Sequence, residues 1–314
     1  MSQAPPSHSR LSLILAIVTM VIWGANFAFV KYVLDALGVG AFLFIRFVSM
    51  PVLAFLLLLF VFRRNIAKTW PKREDLPRFV ACGLVGHALH VGLVFWGINL
   101  STAFSSALVL TSGPLFTLLI LVILGAERLR ASQVAGTILA MAGIAIFLSD
   151  KFTRGVAHAG FGDLVLLVAA SFFSLYTVLV RPLVQRYGPL IVLAYTLLFG
   201  APPMVLLSIP SIINADLARL TPLIWLGLFW AIVLSSVGGW MVWAWVNHVR
   251  GIARSAPLMY LPPPIAGIVA WLTLGEHFTL LKVAGAGITM AGIAWAQFGG
   301  GRPPPREAAQ PDSG

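Results

Sequence analysis

Residues 134–145 read VAGTILAMAGIA and residues 283–294 read VAGAGITMAGIA, so eight of twelve letters recur at an offset of 149. In each copy, small residues stand at i, i+4 and i+7: Gly136, Ala140 and Gly143, then Gly285, Thr289 and Gly292. On a helix this spacing makes one narrow face. In a membrane, such faces let two backbones approach closely. The stretch reads as a packing helix that the chain uses twice.

The correspondence continues on both sides. At an offset of 150, Ala103, Ser105, Leu108, Pro114, Leu124 and Gly125 match Ala253, Ser255, Leu258, Pro264, Leu274 and Gly275. After a one-residue deletion, Glu127 meets Glu276. Upstream, WGANFAFVK (23–31) aligns weakly with FSLYTVLVR (173–181), and Gly38 with Gly188.

Composition identifies the solvent. Of 314 residues, 59% are hydrophobic and 10% charged, against roughly 25% charged in a soluble domain. Such a chain is solvated by lipid. Ten apolar runs are long enough for a hydrocarbon core: 11–32, 39–62, 78–99, 103–125, 131–149, 161–181, 188–210, 222–247, 252–275 and 278–298. They read as helices, because alternating apolar and polar segments are absent and a helix satisfies its own backbone in lipid. The first run follows Arg10 and has the length of a secretory signal. Many apolar runs follow it and it has an internal counterpart, so it reads as a span. The net charge of +11 sits at the ends of apolar runs, not in a nucleic-acid-binding patch. With the N-terminus inside, fifteen Lys and Arg fall on the cytoplasmic side, five on the outer side, and Arg46 within a span. That bias predicts an inner-membrane protein with both termini cytoplasmic. The single cysteine, Cys82, excludes an intrachain disulfide.

The chain then divides into a cytoplasmic tail (1–10), a five-span unit (11–149), an outer linker (150–160), a second five-span unit (161–298) and a disordered cytoplasmic tail (299–314). Five crossings end on the opposite side from where they began, so the second unit enters inverted. The expected fold is all-α: ten transmembrane helices as two inverted five-helix repeats about an axis in the membrane plane. Two similar halves exchange conformations, so an inward-open state has an outward-open twin. This points to alternating access around a midplane site, with a channel or a lipid-handling protein as readings of another class.

WGANFAFVK in the first span, Pro114 followed by GAE (125–127), Pro264 followed by GE (275–276) and the duplicated MAGIA ends carry a family likeness. The chain resembles the drug/metabolite transporter superfamily, in its ten-helix EamA-like branch, over about residues 11–298. One departure is that GVGAFLFIRF keeps Arg46 but lacks the proline usual early in the second span. The resemblance implies a metabolite carrier. Export of aromatic or other neutral amino acids is its favoured implication, with drugs, sugars or nucleosides as alternatives in the same fold.

No Asp or Glu stands in the middle of any span. Cation-driven carriers commonly place a carboxylate at depth, so uncoupled transport or proton coupling through histidine is expected. His87 and His90, three apart in GHALHVG, form either a proton-responsive, substrate-binding pair or two imidazoles bonded to nearby carbonyls. Trp240 stands 150 residues after His90 and shares a face with Trp243; both are candidate walls of an aromatic cavity. Trp23 and Asn26 share a face of the first span, with Phe173 and Tyr176 as counterparts. Asn26, Tyr176 and Tyr260 carry polar groups that need partners in lipid. The expected substrate-binding set is therefore Trp23, Asn26, His87, His90, Tyr176, Trp240, Trp243 and Tyr260.

Pro114 and Pro264 are expected to break the fourth and ninth helices, freeing carbonyls near the midplane for a substrate ammonium or acting as plain kinks. Lys31 and Arg181 are expected to snorkel, and Glu127 and Glu276 to sit structurally at helix N-termini. Arg46 is deeper, and either binds an anionic group or pairs with a helix C-terminus. No nucleophile–base set, phosphate loop or metal cluster stands out, so no catalytic residue, metal or cofactor is expected. The expected partners are a small-molecule substrate, such as an amino acid or similar metabolite, and the lipid bilayer; the chain would be a monomer or homodimer.

Overall fold

The computed structural model describes residues 6–123, 130–153, 157–217, 220–250 and 255–298. Regular structure among the described residues is helical throughout. Helix α1 (Pro6–Leu37) is followed by α2 (Val39–Phe62). Next, α3 (Leu76–Gly83) runs through a π-helical segment (Leu84–Leu89) into α4 (His90–Leu100). Two short helices, α5 (Ala103–Leu110) and α6 (Gly113–Ile123), precede α7 (Ala131–Thr153). Long helices α8 (Ala157–Tyr187) and α9 (Pro189–Ile213) follow. Then α10 (Pro222–Phe229) passes through a second π-helical segment (Trp230–Gly238) into α11 (Gly239–Arg250). A 3₁₀ turn (Ala256–Tyr260), α12 (Pro262–Leu274) and α13 (Leu280–Phe298) complete the order.

Among the described residues, seven helical stretches are long and apolar enough to cross a bilayer, and three shorter apolar ones begin at Ala103, Leu258 and Leu280. The surface suits lipid: Phe60 is 71% exposed, Leu207 76% and Leu280 85%. The linker expected over 150–160 is shorter, because α7 continues to Thr153 and α8 begins at Ala157. Apolar runs measure hydrocarbon thickness, whereas backbone hydrogen bonding continues past it.

The corner after α1 is repeated after α8. Gly38 and Gly188 have φ of +76° and +79° with ψ of 158° and 162°, a region open essentially to glycine alone. The bonding repeats as well. Gly38 N donates to Leu34 O at 2.8 Å and Gly188 N to Val184 O at 2.9 Å, while Phe42 N and Val192 N donate back to the two glycine carbonyls. Residues 150 apart thus turn the chain in the same way.

The helix breaks differ from simple proline kinks. Pro114 is the second residue of α6, and Pro262–Pro264 begin α12. In a first turn the missing N–H has no intrahelical partner to lose, so the prolines start helices here. Three carbonyls around the first break are already bonded. Leu108 O accepts from Thr111 N and Oγ1, and Val109 O from Ser112 N and Oγ. Gly113 O accepts from Ser174 Oγ at 2.7 Å and Thr117 Oγ1 at 3.2 Å. Hydroxyls therefore hold these three acceptors.

Other terminal groups also tie helices together. Glu276 Oε1 accepts from Ala103 N at 2.6 Å, so it closes the start of α5 rather than its own following helix; Glu127 lies outside the described residues. Lys31 does not snorkel: its Nζ donates to Asn99 O at 2.6 Å and pairs with Asp35 at 3.3 Å, joining α1 to the end of α4. Arg181 is exposed as expected. Ahead of α3, Asp75 and Glu74 each take one nitrogen of Arg186 at 2.7 Å, an exposed clasp on the last turn of α8. Exposed pairs of this kind add little stability.

Packing pairs elements from the two halves of the chain. α2 lies along α9; α1 lies against α10, the second π segment, α11 and α12, as α8 lies against α3, the first π segment, α4, α5 and α6. The opening stretch forms the closest pairing, α7 on α13. A Cβ on Gly136 would lie 2.3 Å from Ala296 N, one on Gly143 2.4 Å from Thr289 N, and one on Gly292 2.3 Å from Ala140 N. The contacts run 136 to 296 and 143 to 289, so the two copies are antiparallel, backbone against backbone, as their small-residue faces require.

Gly287, on the same helix, faces open space. Gly292→Leu is expected to destabilise the protein by about 1–3 kcal/mol through overpacking, while Gly287→Leu is tolerated. Thermal unfolding in detergent tests this pair; equal melting temperatures for both variants would remove the seam from its structural role.

Candidate functional site

Where the helices of the two halves meet, they enclose a cavity of about 540 Å³, a size typical of small-molecule sites. Its lining comes from α2, the first π segment, α4, α8, α9, the second π segment and α11. The walls are mostly apolar, with Phe47, Phe95, Phe173 and Trp240 as rings. Polar lining groups are Arg46, His87, His90, Tyr176, Thr177 and Ser236.

The π segments set how this site is built. A π turn widens the helix and shifts the register of its side chains and carbonyls. His87 stands in the first such segment and His90 directly after it. Gly83 and Gly200 bring α3 against α9: a Cβ on Gly83 would lie 2.6 Å from Thr196 O, and one on Gly200 2.4 Å from Gly83 O. At that close crossing His87 Nε2 reaches Thr196 Oγ1 at 3.0 Å. The threonine hydroxyl donates to Val192 O at 2.7 Å, so the ring N–H is the donor to it. His90 Nδ1 donates to Ala169 O on α8 at 2.8 Å. The two histidines therefore reach different helices, each with one ring nitrogen outside these bonds. Tyr176 lies flat on Gly86, where a Cβ would come within 2.3 Å of its ring, and its ring meets His87 edge-on at 5.8 Å.

The expected site residues separate into groups. His87, His90, Tyr176 and Trp240 line the cavity together. Trp23 and Trp243 do not: Trp23 Nε1 donates to Ser235 O in the second π segment at 2.9 Å, and its ring packs edge-on against Trp243 at 5.9 Å. A tryptophan donor thus serves the widened helix. Asn26 is also off the cavity, with Oδ1 buried and unbonded. Tyr260 packs beside Leu115, Ala140, Ile293 and Ala296. Pro264 lines a second, wholly apolar cleft of about 550 Å³ with Phe104, Trp271 and Phe278. The side chain of Pro114 lies outside the described residues.

Arg46 lines the cavity although it was not in the expected set. Its Nη1 donates to Ala231 O at 3.3 Å and its Nη2 to Ser236 Oγ at 3.0 Å. Its Cζ stands 5.0 Å from the Phe95 ring centre. Ser236 Oγ also donates to Ala231 O, five residues back. The residue 150 positions after Arg46 is Thr196, the partner of His87. The same offset takes Gly83 to Val233 and Gly200 to Met50. Two glycines allow the α3–α9 crossing to close onto a threonine; at the looser crossing of α2 with the second π segment, a long arginine reaches across. A cation within a span was the available signal, but its partners lay 185 and 190 residues away.

The comparisons with known proteins agree on class. Residues 10–149 and 160–297 each match the EamA-like transporter family. A protein of Streptantibioticus cattleyicolor named "Probable terminal-alkyne amino-acid exporter" is 28% identical over 280 residues, 88% of this chain and 90% of that one. An Escherichia coli protein named "Probable amino-acid metabolite efflux pump" is 26% identical over 306 residues, covering 93% of this chain and 96% of its own. A solved crystal structure superposes with a TM-score of 0.58 at 17% identity, over 91% of this chain and 95% of the other, a likeness of fold alone. Matched along almost its whole length by two successive copies of one transporter unit, the chain belongs to the EamA-like transporter family.

Proposed function

We propose that the protein is a secondary carrier working by alternating access, built as ten membrane-crossing helices in two inverted five-helix halves. It exports a small amphipathic metabolite, with amino acids the favoured class. The cavity at the meeting of the halves carries this reading: about 540 Å³ of space with aromatic walls and a few polar groups is suited to one such solute. The antiparallel seam of α7 and α13 and the matching corners at Gly38 and Gly188 support the inversion. The names of the amino-acid exporters among its relatives support the substrate class. His87, His90, Tyr176 and Trp240 form the solute site, while Trp23 and Trp243 support the second π segment from behind.

With both termini cytoplasmic, the corners near Asp35 and Asp216 face outward and the loop at Asn65 faces inward. In a Cys82→Ser background, Asp35→Cys and Asp216→Cys are expected to react with an impermeant maleimide in intact cells, and Asn65→Cys only after lysis. The reverse pattern would invert the orientation, and labelling of Asp35→Cys and Asp216→Cys from opposite sides would defeat the inverted repeat.

Transport itself is tested by counterflow of labelled phenylalanine in proteoliposomes. Trp240→Ala is expected to cut the initial rate by about tenfold, equivalent to ~1.4 kcal/mol of lost contact. Single-channel currents across planar bilayers, or full activity of Trp240→Ala together with His90→Ala, would defeat the carrier and its site.

A further inference from the structure

Resting on the carrier reading above, we propose that Arg46 is the carboxylate-recognising group of the cavity, so that the solutes carried are amphipathic organic acids, amino acids among them.

Among the described lining residues, Arg46 is the one Lys or Arg, and its guanidinium is a fixed cation. No Asp or Glu lines the cavity, and none pairs with Arg46 among the described residues. Its neighbours are a carbonyl, a hydroxyl and an aromatic face. These orient the guanidinium without neutralising it. A lone cation within a membrane helix is costly, and an anionic ligand removes that cost by pairing with it. The planar guanidinium fork matches a carboxylate in two parallel bonds, and the two bonds it makes in the structure leave donors over. The remaining walls, Phe95, Phe173, Tyr176 and Trp240, suit an apolar body attached to that carboxylate. A free amine finds no carboxylate here, so a simple organic cation is disfavoured.

The same two nitrogens hold α2 to Ala231 and Ser236 of the second π segment. An incoming carboxylate that pairs with the spare N–H of each draws the guanidinium towards itself and weakens both bonds. Loading therefore loosens this junction, while the His87–Thr196 contact at the equivalent position of the other half involves no arginine. Recognition and opening are coupled through one side chain.

The test compares four probes sharing one phenyl ring on the purified full-length protein: 3-phenylpropionate, phenylalanine, phenylalaninamide and phenethylamine. Equilibrium binding is expected to favour the two carboxylates over the amide and the amine by about tenfold or more. Arg46→Gln should erase that preference while leaving amine binding as it was, and Arg46→Lys should restore part of it. Hydrogen exchange over 230–238 should quicken with 3-phenylpropionate, which a purely structural arginine would not produce.

Equal wild-type affinity for acid and amine overturns the proposal, as does unchanged acid affinity in a folded Arg46→Gln protein. If that variant fails to fold, the wild-type acid–amine comparison decides alone. Amine-selective binding abolished by Trp240→Ala would refute Arg46 as the recognising group yet keep the cavity as the carrier's site. Binding of every probe unaffected by Trp240→Ala would remove both.

Discussion

A peptide group in hydrocarbon has no water to bond with, so every departure from a regular helix needs a partner supplied by the protein. Much of this molecule follows from that constraint. Where helices stay regular, small residues suffice, and α7 and α13 meet backbone to backbone along Gly136, Gly143, Gly285 and Gly292. Where they break or widen, hydroxyls, indoles and one guanidinium take up the carbonyls. Thr111, Ser112 and Ser174 serve the break between α5 and α6; Trp23, Arg46 and Ser236 serve the second π segment.

The cavity lies beside these irregular stretches for the same reason. A π turn moves side chains out of helical register. His87 and His90, three apart, thus bond to α9 and α8 respectively. The two junctions across the cavity occupy equivalent places in the two halves but use different chemistry. One is a glycine-lined crossing with a histidine–threonine contact; the other is a wider crossing bridged by arginine.

Legibility varied with the distance over which each feature is decided. The membrane class, the helical runs and the glycine seam were readable because hydropathy and small-residue spacing are local. The paired corners were readable as a recurrence, Gly38 and Gly188, though not their backbone angles. Four of eight expected site residues line the cavity. Trp23 and Trp243 were assigned to it because aromatic residues on one helix face have the same pattern whether they meet a ligand or a neighbour. Near Pro114, three carbonyls are taken up by the hydroxyls of Thr111, Ser112, Thr117 and Ser174. Ser174 is 61 residues from the carbonyl it reaches.

Composition and pattern establish that the chain lives in lipid, that its unit is written twice, and that residues 134–145 and 283–294 are made for close packing. These follow from composition, parity and period, which need no coordinates. Helix crossings, by contrast, set that those two stretches pack on each other, which polar groups surround the cavity, and that Arg46 meets the second π segment. Such contacts join residues 79 to 190 positions apart. They depend on where whole helices cross, which no local pattern reports.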